Sequence, residues 1–304
     1  MSVRLGLGTY RTDDAAASAR IAVAADGTLI DTAPVYGHGT HHQALAPVLA
    51  EHPSTRVSSK VGHMTNHQAQ HAEAAGALTE EETHQRHSIA PAYVRYQAQL
   101  TAFELGRAPD VLYLHNPDHH AHHDRESLHR RIRDAFVALE RMRDRGFLLG
   151  YGVATWSGFA GAFTVTDLVR LSREASGGAR SGLAAIQLPV SLVNIAPVKD
   201  ALNGTGPLIE AREAGLQVWA SAPLHGGKLV HLVNARLARY ISEGASPAEA
   251  ALLVTASAPG LTGVLISTSN TEHWKSAATV AGDPPLTETR LKDISDLLLS
   301  RDNA

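Results

Sequence analysis

Leu29-Ile30-Asp31-Thr32-Ala33-Pro34-Val35-Tyr36-Gly37 is a short apolar run that ends on an acid, breaks at a proline and resumes at a tyrosine. Two later runs have the same build. Val57-Ser58-Ser59-Lys60-Val61-Gly62 delivers a lysine near its end, and Val111-Leu112-Tyr113-Leu114-His115-Asn116-Pro117 delivers a histidine. None alternates cleanly, as befits strands buried on both faces. The same signal recurs along the chain, giving strands over 4–7, 28–31, 56–60, 110–115, 149–154, 184–188, 217–221 and 263–267. Helical patterns separate them. The stretch 13–25 opens on two aspartates, 91–105 has Pro91 in its first turn and Gly106 just past its end, and 124–145 stops at Gly146. Eight strand–helix alternations read as α/β, a single (β/α)8 TIM barrel over residues 1–304. A doubly wound open sheet is the structural alternative. Against it, Gly6-Leu7-Gly8-Thr9-Tyr10-Arg11 is no GxGxxG, and no P-loop is present.

Composition agrees with one large core. The chain has 304 residues, 44% of them hydrophobic and 19% charged, which is globular rather than disordered. A net charge of −3 argues against nucleic acid or a membrane surface as a partner reached by bulk electrostatics. With no cysteine, disulfides, thiolate metal sites and cysteine nucleophiles are excluded. The opening MSVRLGLGTYR has no signal-peptide pattern, and no apolar run reaches the roughly 18 residues of a span. The expectation is a cytoplasmic protein. Long loops are expected at 62–87 and 189–199, both over the C-terminal face, with helices inside 271–300 beyond the last strand.

In a barrel, polar residues at the C-terminal strand ends line the site. Asp31, Lys60 and His115 each end a strand, and Tyr36 follows on the loop after Asp31. These residue types suit proton transfer to or from an oxygen. A tyrosine is a weak acid near pH 10, an adjacent ammonium favours its phenolate, and an aspartate neutralises the buried ammonium. An imidazole orients the oxygen or shares the proton. Each residue alone has a bland explanation: an ion pair, a core histidine, a surface aromatic. Placed together at three successive strand ends, they point to a site.

On these residues the sequence resembles the aldo-keto reductase family, NAD(P)H-dependent oxidoreductases on a (β/α)8 barrel. GLGTY at 6–10, LIDTAPVYG at 29–37, VSSKVG at 57–62, DVLYLHNPD at 110–118, GYGVATW, AIQLPVSL, WASAPLHGGKL and VLISTSNTEHW are similar to its successive strands. The resemblance implies hydride transfer between a nicotinamide cofactor and an aldehyde or ketone, or the corresponding alcohol, as the small-molecule substrate. It implies Tyr36 as general acid, tuned by Lys60 and Asp31, with His115 orienting the carbonyl. It further implies Gly8, Thr9, Tyr10, Asp31, Gln187 and Ser221 around the nicotinamide and Leu224 over the pyrophosphate. Ser267, Thr268, Asn270 and His273 fall at the adenosine end, where helix N–H groups suit an anion. Tyr10, Tyr36, His115 and Trp156 would line the substrate. NADPH is the implied cofactor, with NADH as the alternative.

The chain departs from the family in places. Ala154-Thr155 stand where Ser-Asn is frequent, and Ser221 stands where many members stack a tyrosine. His273 replaces the arginine that clamps the 2′-phosphate, which weakens the expected preference for NADPH. His41-His42 replace a Ser-Glu helix start. The chain holds 18 histidines. His63, His67 and His71 have the i, i+4, i+8 spacing of one helix face, and His119, His120, His122 and His123 follow His115. They are expected as solvated histidines with no metal bound, and Glu80-Glu81-Glu82 as a solvated face. Trp156 is either substrate-lining or loop packing. Two other functions compete with a reductase: a cofactor-binding regulatory or partner subunit with the same barrel, and a metal-dependent TIM-barrel hydrolase built on the histidines.

Overall fold

The computed structural model describes residues 3–120, 124–178 and 180–300. Eight parallel strands close into a barrel in sequence order. They are β1 (Arg4–Gly8), β2 (Leu29–Asp31), β3 (Arg56–Val61), β4 (Val111–His115), β5 (Tyr151–Ala154), β6 (Leu183–Pro189), β7 (Gln217–Ser221) and β8 (Gly263–Ile266). The register brings Leu7 beside Ile30, Lys60 beside Tyr113, and His115 beside Ala154. Closure pairs Arg4 with Gly263 and Leu7 with Ile266.

Alternation along each strand splits the core in two. Outward side chains such as Val57, Val61, Leu112, Leu114, Ile186 and Val218 pack with the helices in one large cluster. Inward ones form two small clusters: Val111, Tyr113, Ala154 and Ala185, and separately Leu29, Trp219 and Leu265. Trp219 plugs the barrel interior, where it is 1% exposed. Gly263 is glycine for that reason, because a Cβ there would overlap the indole ring. The interior is therefore packed, and function is confined to the mouth.

The helices follow the sequence signals closely. Asp14 caps the helix Ala15–Ala24, Pro91 opens Pro91–Glu104, and Asp124 caps Arg125–Asp144. The C-terminal helices are Thr271–Gly282 and Glu288–Leu299. Two segments expected as loops are partly helical. Within 62–87 run Asn66–Ala74 and Glu80–Gln85, and the segment 189–199 enters a helix at Ala196–Leu202. Both helices in the first segment start with a capping box, Thr65 with Gln68 and Thr79 with Glu82, each satisfying two orphan backbone donors. Glu82 is thus no solvated face residue: it also accepts from Ser88 Oγ at 2.7 Å.

Candidate active site

Asp31, the last residue of β2, sits at the centre of the barrel mouth. Its Oδ2 accepts from Lys60 Nζ at 2.6 Å, and its Oδ1 accepts from Ser58 Oγ at 2.7 Å and Gln187 Nε2 at 3.1 Å. Lys60 also donates to the Thr32 carbonyl at 2.9 Å. Ser58 and Lys60 are two apart on β3, so both point inward. Asp31 and Lys60 are 4% and 1% exposed, and buried charges of this kind persist only when each is paired and hydrogen-bonded. Burial opposes the Lys60 charge, but Asp31 and Tyr36 overrule it, and its pKa is raised.

Tyr36 reaches this pair from the loop after β2. Its ring lies 4.9 Å from Lys60 Nζ, 5.1 Å from the Tyr10 ring, and 6.2 Å from the His115 ring in an edge-on arrangement. Burial pushes the phenol pKa up, Lys60 pulls it down, and Asp31 pushes it up again, with a net rise. The ammonium that the sequence suggests as a pKa-lowering neighbour is therefore present but outweighed by desolvation. The phenol holds its proton at neutral pH. His115 titrates well below the usual histidine range, first through burial and then through Lys60, His63 and His87. Its imidazole is neutral.

Around His115 the structure gathers histidines that sequence spacing assigned elsewhere. His63 precedes the helix Asn66–Ala74 rather than sharing a face with His67 and His71, which instead contact each other at 3.1 Å. The His63 ring lies 4.8 Å from His115, 4.4 Å from His87 and 5.7 Å from His119. His87 is fully buried and donates Nε2–H to the His115 carbonyl at 2.7 Å. Asn116 adopts the left-handed conformation, φ 51°, which asparagine tolerates. Its Oδ1 accepts from Trp156 N–H at 2.9 Å, and its Nδ2 lies 3.1 Å from His63 Nε2. Among the described residues no group of three or more His, Asp or Glu is placed to hold a metal ion. His122 and His123 lie outside the described residues.

The other singled-out residues surround the same mouth. Gly8 ends β1, and its carbonyl accepts from Ser267 Oγ just past β8. Thr9 is buried, with its N–H and hydroxyl both on the Asp31 carbonyl. Tyr10 is exposed. Ser221 ends β7, and Leu224 follows in a turn tied to the β1 loop, where Arg11 Nη1 donates to Gly226 O at 3.0 Å. Asn270 caps the helix Thr271–Gly282, accepting from the N–H groups of Glu272 and His273, while Thr268 Oγ1 accepts from Asn270 N–H. Trp156 is 53% exposed, its ring 6.4 Å from that of His225. His41 packs against Gly37, the residue after Tyr36, while His42 faces away from the mouth. His42 is buried behind β3, its Nδ1 2.8 Å from Glu104 Oε2 and its Nε2 2.8 Å from Ser59 Oγ.

Ser58, Thr32, His63, His87 and Asn116 are the site neighbours that sequence reasoning missed. A signal existed for one: the capping box at Thr65 starts its helix at Asn66, which leaves His63 on the strand side of the turn.

No curated protein matches the chain. Among solved structures it is similar to the aldo-keto reductase AKR11C1 from Bacillus halodurans (holo form), with TM-score 0.70 and 16% identity, covering 97% of this chain and 91% of that one. It is similar also to the glycerol dehydrogenase AKR11B4 from Gluconobacter oxydans, with TM-score 0.70 and 20% identity over 99% and 92% of the two chains. Likeness at such identities speaks for the fold. For the sequence itself, the model of the aldo/keto reductase family matches residues 2–298. That match runs through all eight strands the barrel closes, and the chain belongs to the aldo/keto reductase family of oxidoreductases.

Proposed function

We propose that this protein reduces an aldehyde or ketone, or oxidises the corresponding alcohol, with Tyr36 as the acid or base. The observation that carries the reading is Lys60, held at 2.6 Å from the Asp31 carboxylate and 4.9 Å from the Tyr36 ring. During reduction the carbonyl oxygen gains charge as hydride arrives. Tyr36, protonated at neutral pH, gives its proton to that oxygen. The phenolate left behind faces an ammonium that cannot readily lose its own proton, because Asp31 and Tyr36 hold the Lys60 pKa up against burial. Neutral His115 keeps one N–H for the same oxygen, which orients the carbonyl toward Tyr36.

Aldo-keto reductases use nicotinamide cofactors, and a bound nicotinamide supplies the hydride. The donor set around the mouth fits such a group. Gln187 spends Nε2–H on Asp31, and its Oε1 has no partner among the described residues, so a carboxamide N–H can donate there. Ser267, Thr268, Asn270 and His273 are assigned to the adenosine end. We take NADPH as the cofactor, with a modest margin over NADH, since His273 offers no guanidinium fork for a 2′-phosphate. The substrate is a small molecule entering between Tyr10, Tyr36, His115 and Trp156.

Tyr36→Phe tests the proton step, because it removes one hydroxyl and little volume. Cofactor binding, followed by fluorescence, should persist. Single-turnover hydride transfer to a carbonyl substrate should fall roughly 10²-fold or more. Transfer at the wild-type rate would remove Tyr36 from the mechanism and leave His115 as the acid.

A further inference from the structure

We propose that His63 is a substrate-specificity residue: its Nδ1–H binds an oxygen on the carbon next to the reacting carbonyl, so the site selects α-hydroxy or α-oxo carbonyl compounds. The inference rests on the carbonyl-reductase reading above and names the substrate class of that site.

The argument begins at Asn116. Its Oδ1 lies 2.9 Å from the Trp156 backbone nitrogen, an N–H that only an acceptor can meet. That contact fixes the amide: oxygen toward Trp156, nitrogen toward His63. Asn116 Nδ2 then donates to His63 Nε2 at 3.1 Å, and an acceptor nitrogen carries no proton. The His63 proton is therefore on Nδ1. Burial and His119 hold the ring far below its usual pKa, at about 4, with Asp118 pulling the other way, so the ring is neutral.

Among the described residues, Nδ1–H is a donor without a partner. It makes no hydrogen bond to any described residue, and it is not among the fully buried polar atoms left unsatisfied, so it is not sealed inside the protein. The His63 ring borders the groups proposed to react. His63 lies on the segment directly after β3, three residues beyond Lys60, and its ring is 4.8 Å from that of His115 in a near-perpendicular arrangement. Two neutral imidazoles thus stand side by side at one mouth. His115 serves the carbonyl oxygen. His63 offers a second N–H one bond further along the substrate, where a hydroxyl or second carbonyl oxygen accepts and a methyl group does not. A site built to meet an oxygen discriminates against the analogue lacking it, since the donor is then left unpaired on closure.

The test uses isosteric pairs, hydroxyacetone against butanone and lactaldehyde against 2-methylpropanal. Each pair is assayed with wild type, His63→Phe and His63→Asn. Wild type should favour the hydroxylated member of each pair in kcat/KM. His63→Phe keeps the ring and loses the donor, so it should lower kcat/KM roughly tenfold or more for the hydroxylated member, chiefly through KM. The plain member should change little. His63→Asn places an amide N–H near the lost Nδ1–H and should recover part of the preference. Equal losses on both members would make His63 a mere support for His115 and overturn the proposal. So would a wild-type enzyme that prefers the plain members, a result that stands even where the variants do not fold. Turnover of other carbonyls but of neither pair would overturn the substrate class alone. Tyr36→Phe without effect on any carbonyl would instead overturn the underlying reading.

Discussion

Replacing Lys60 by methionine should destabilise the protein more than any single surface change, and the structure sets the size. Lys60 Nζ is 2.6 Å from Asp31 Oδ2 and 2.9 Å from the Thr32 carbonyl, with 1% of the residue exposed. Methionine fills a similar volume and makes neither contact. Asp31 Oδ1 keeps Ser58 and Gln187 as donors, while Oδ2 becomes an unpaired buried charge. Breaking one side of a buried pair costs about 3–5 kcal/mol. At roughly 2 °C per kcal/mol for a chain of this size, Tm should fall by roughly 6–10 °C. Adding Asp31→Asn removes the stranded charge, so the double variant should be more stable than the sum of the singles. The assay is thermal and urea unfolding of the cofactor-free protein, which keeps binding out of the comparison. A cost for Lys60→Met below about 1 kcal/mol, the range of an exposed pair, would refute the reasoning, as would strict additivity in the double variant. Sign matters too. The Lys60 pKa is raised, so the stability it contributes is whole below the ordinary lysine value and is lost as pH climbs through the folded value.

Three further outcomes follow from other parts of the structure. His273→Arg should shift the ratio of Kd values for NADPH and NADH roughly tenfold toward NADPH, read by fluorescence titration, because a guanidinium fork binds a phosphate that imidazole does not; an unchanged ratio would place the phosphate elsewhere. His42→Leu should cost about 2 kcal/mol in urea unfolding, since it strands the Ser59 hydroxyl and the Glu104 carboxylate, both now bonded to the ring at 2.8 Å; a neutral result would show that water takes over both partners. His63 titrates at about 4 in the fold against 6.5 when unfolded, so the unfolded chain binds the extra proton between those values, and stability should fall as pH is lowered across that window. Urea midpoints from pH 7 to 4.5 should decline less steeply in His63→Asn than in wild type, and equal slopes would refute the assignment.

The barrel was legible because strand–helix alternation repeats eight times and each strand carries its own apolar run. That Asp31, Tyr36, Lys60 and His115 meet at one mouth was legible because each falls at a strand end or just past it, where a barrel exposes side chains to one mouth. What escaped notice depends on contacts between distant segments. The bond from His87 to the His115 carbonyl joins residues 28 apart, and nothing local to HSIAP at 87–91 announces it. The His63-His67-His71 spacing suggested a single helix face, yet a threonine cap at Thr65 outranks periodicity and starts the helix too late to include His63. His41 and His42 looked like a local departure at a helix start, whereas His42 answers to Ser59 and Glu104 on two other elements. The short helices in 62–87 were hidden by polarity: the run NHQAQHAEA has little apolar signal, and only its cap betrays it.

The stitch between β1 and β8 has a consequence for how the protein is made. Arg4–Leu7 pair along one side with Gly263–Ile266, and Ser267 Oγ closes the seam onto the Gly8 carbonyl across 259 residues. On a ribosome, β1 emerges before the other seven strands and β8 after them. Throughout most of synthesis one flank of β1 is an open strand edge, which is the feature most prone to pair with another chain. The mouth shares that delay, because the seam sits at its rim. A nascent chain holding Asp31, Tyr36, Lys60 and His115 thus has all four residues proposed for the reaction and no closed ring to hold them. A circular permutant that joins the two ends through a linker and opens the chain at an outer helix would synthesise β8 and β1 in succession. Its folding yield in a translation assay should exceed that of the natural order, since the slowest contact would become a local one.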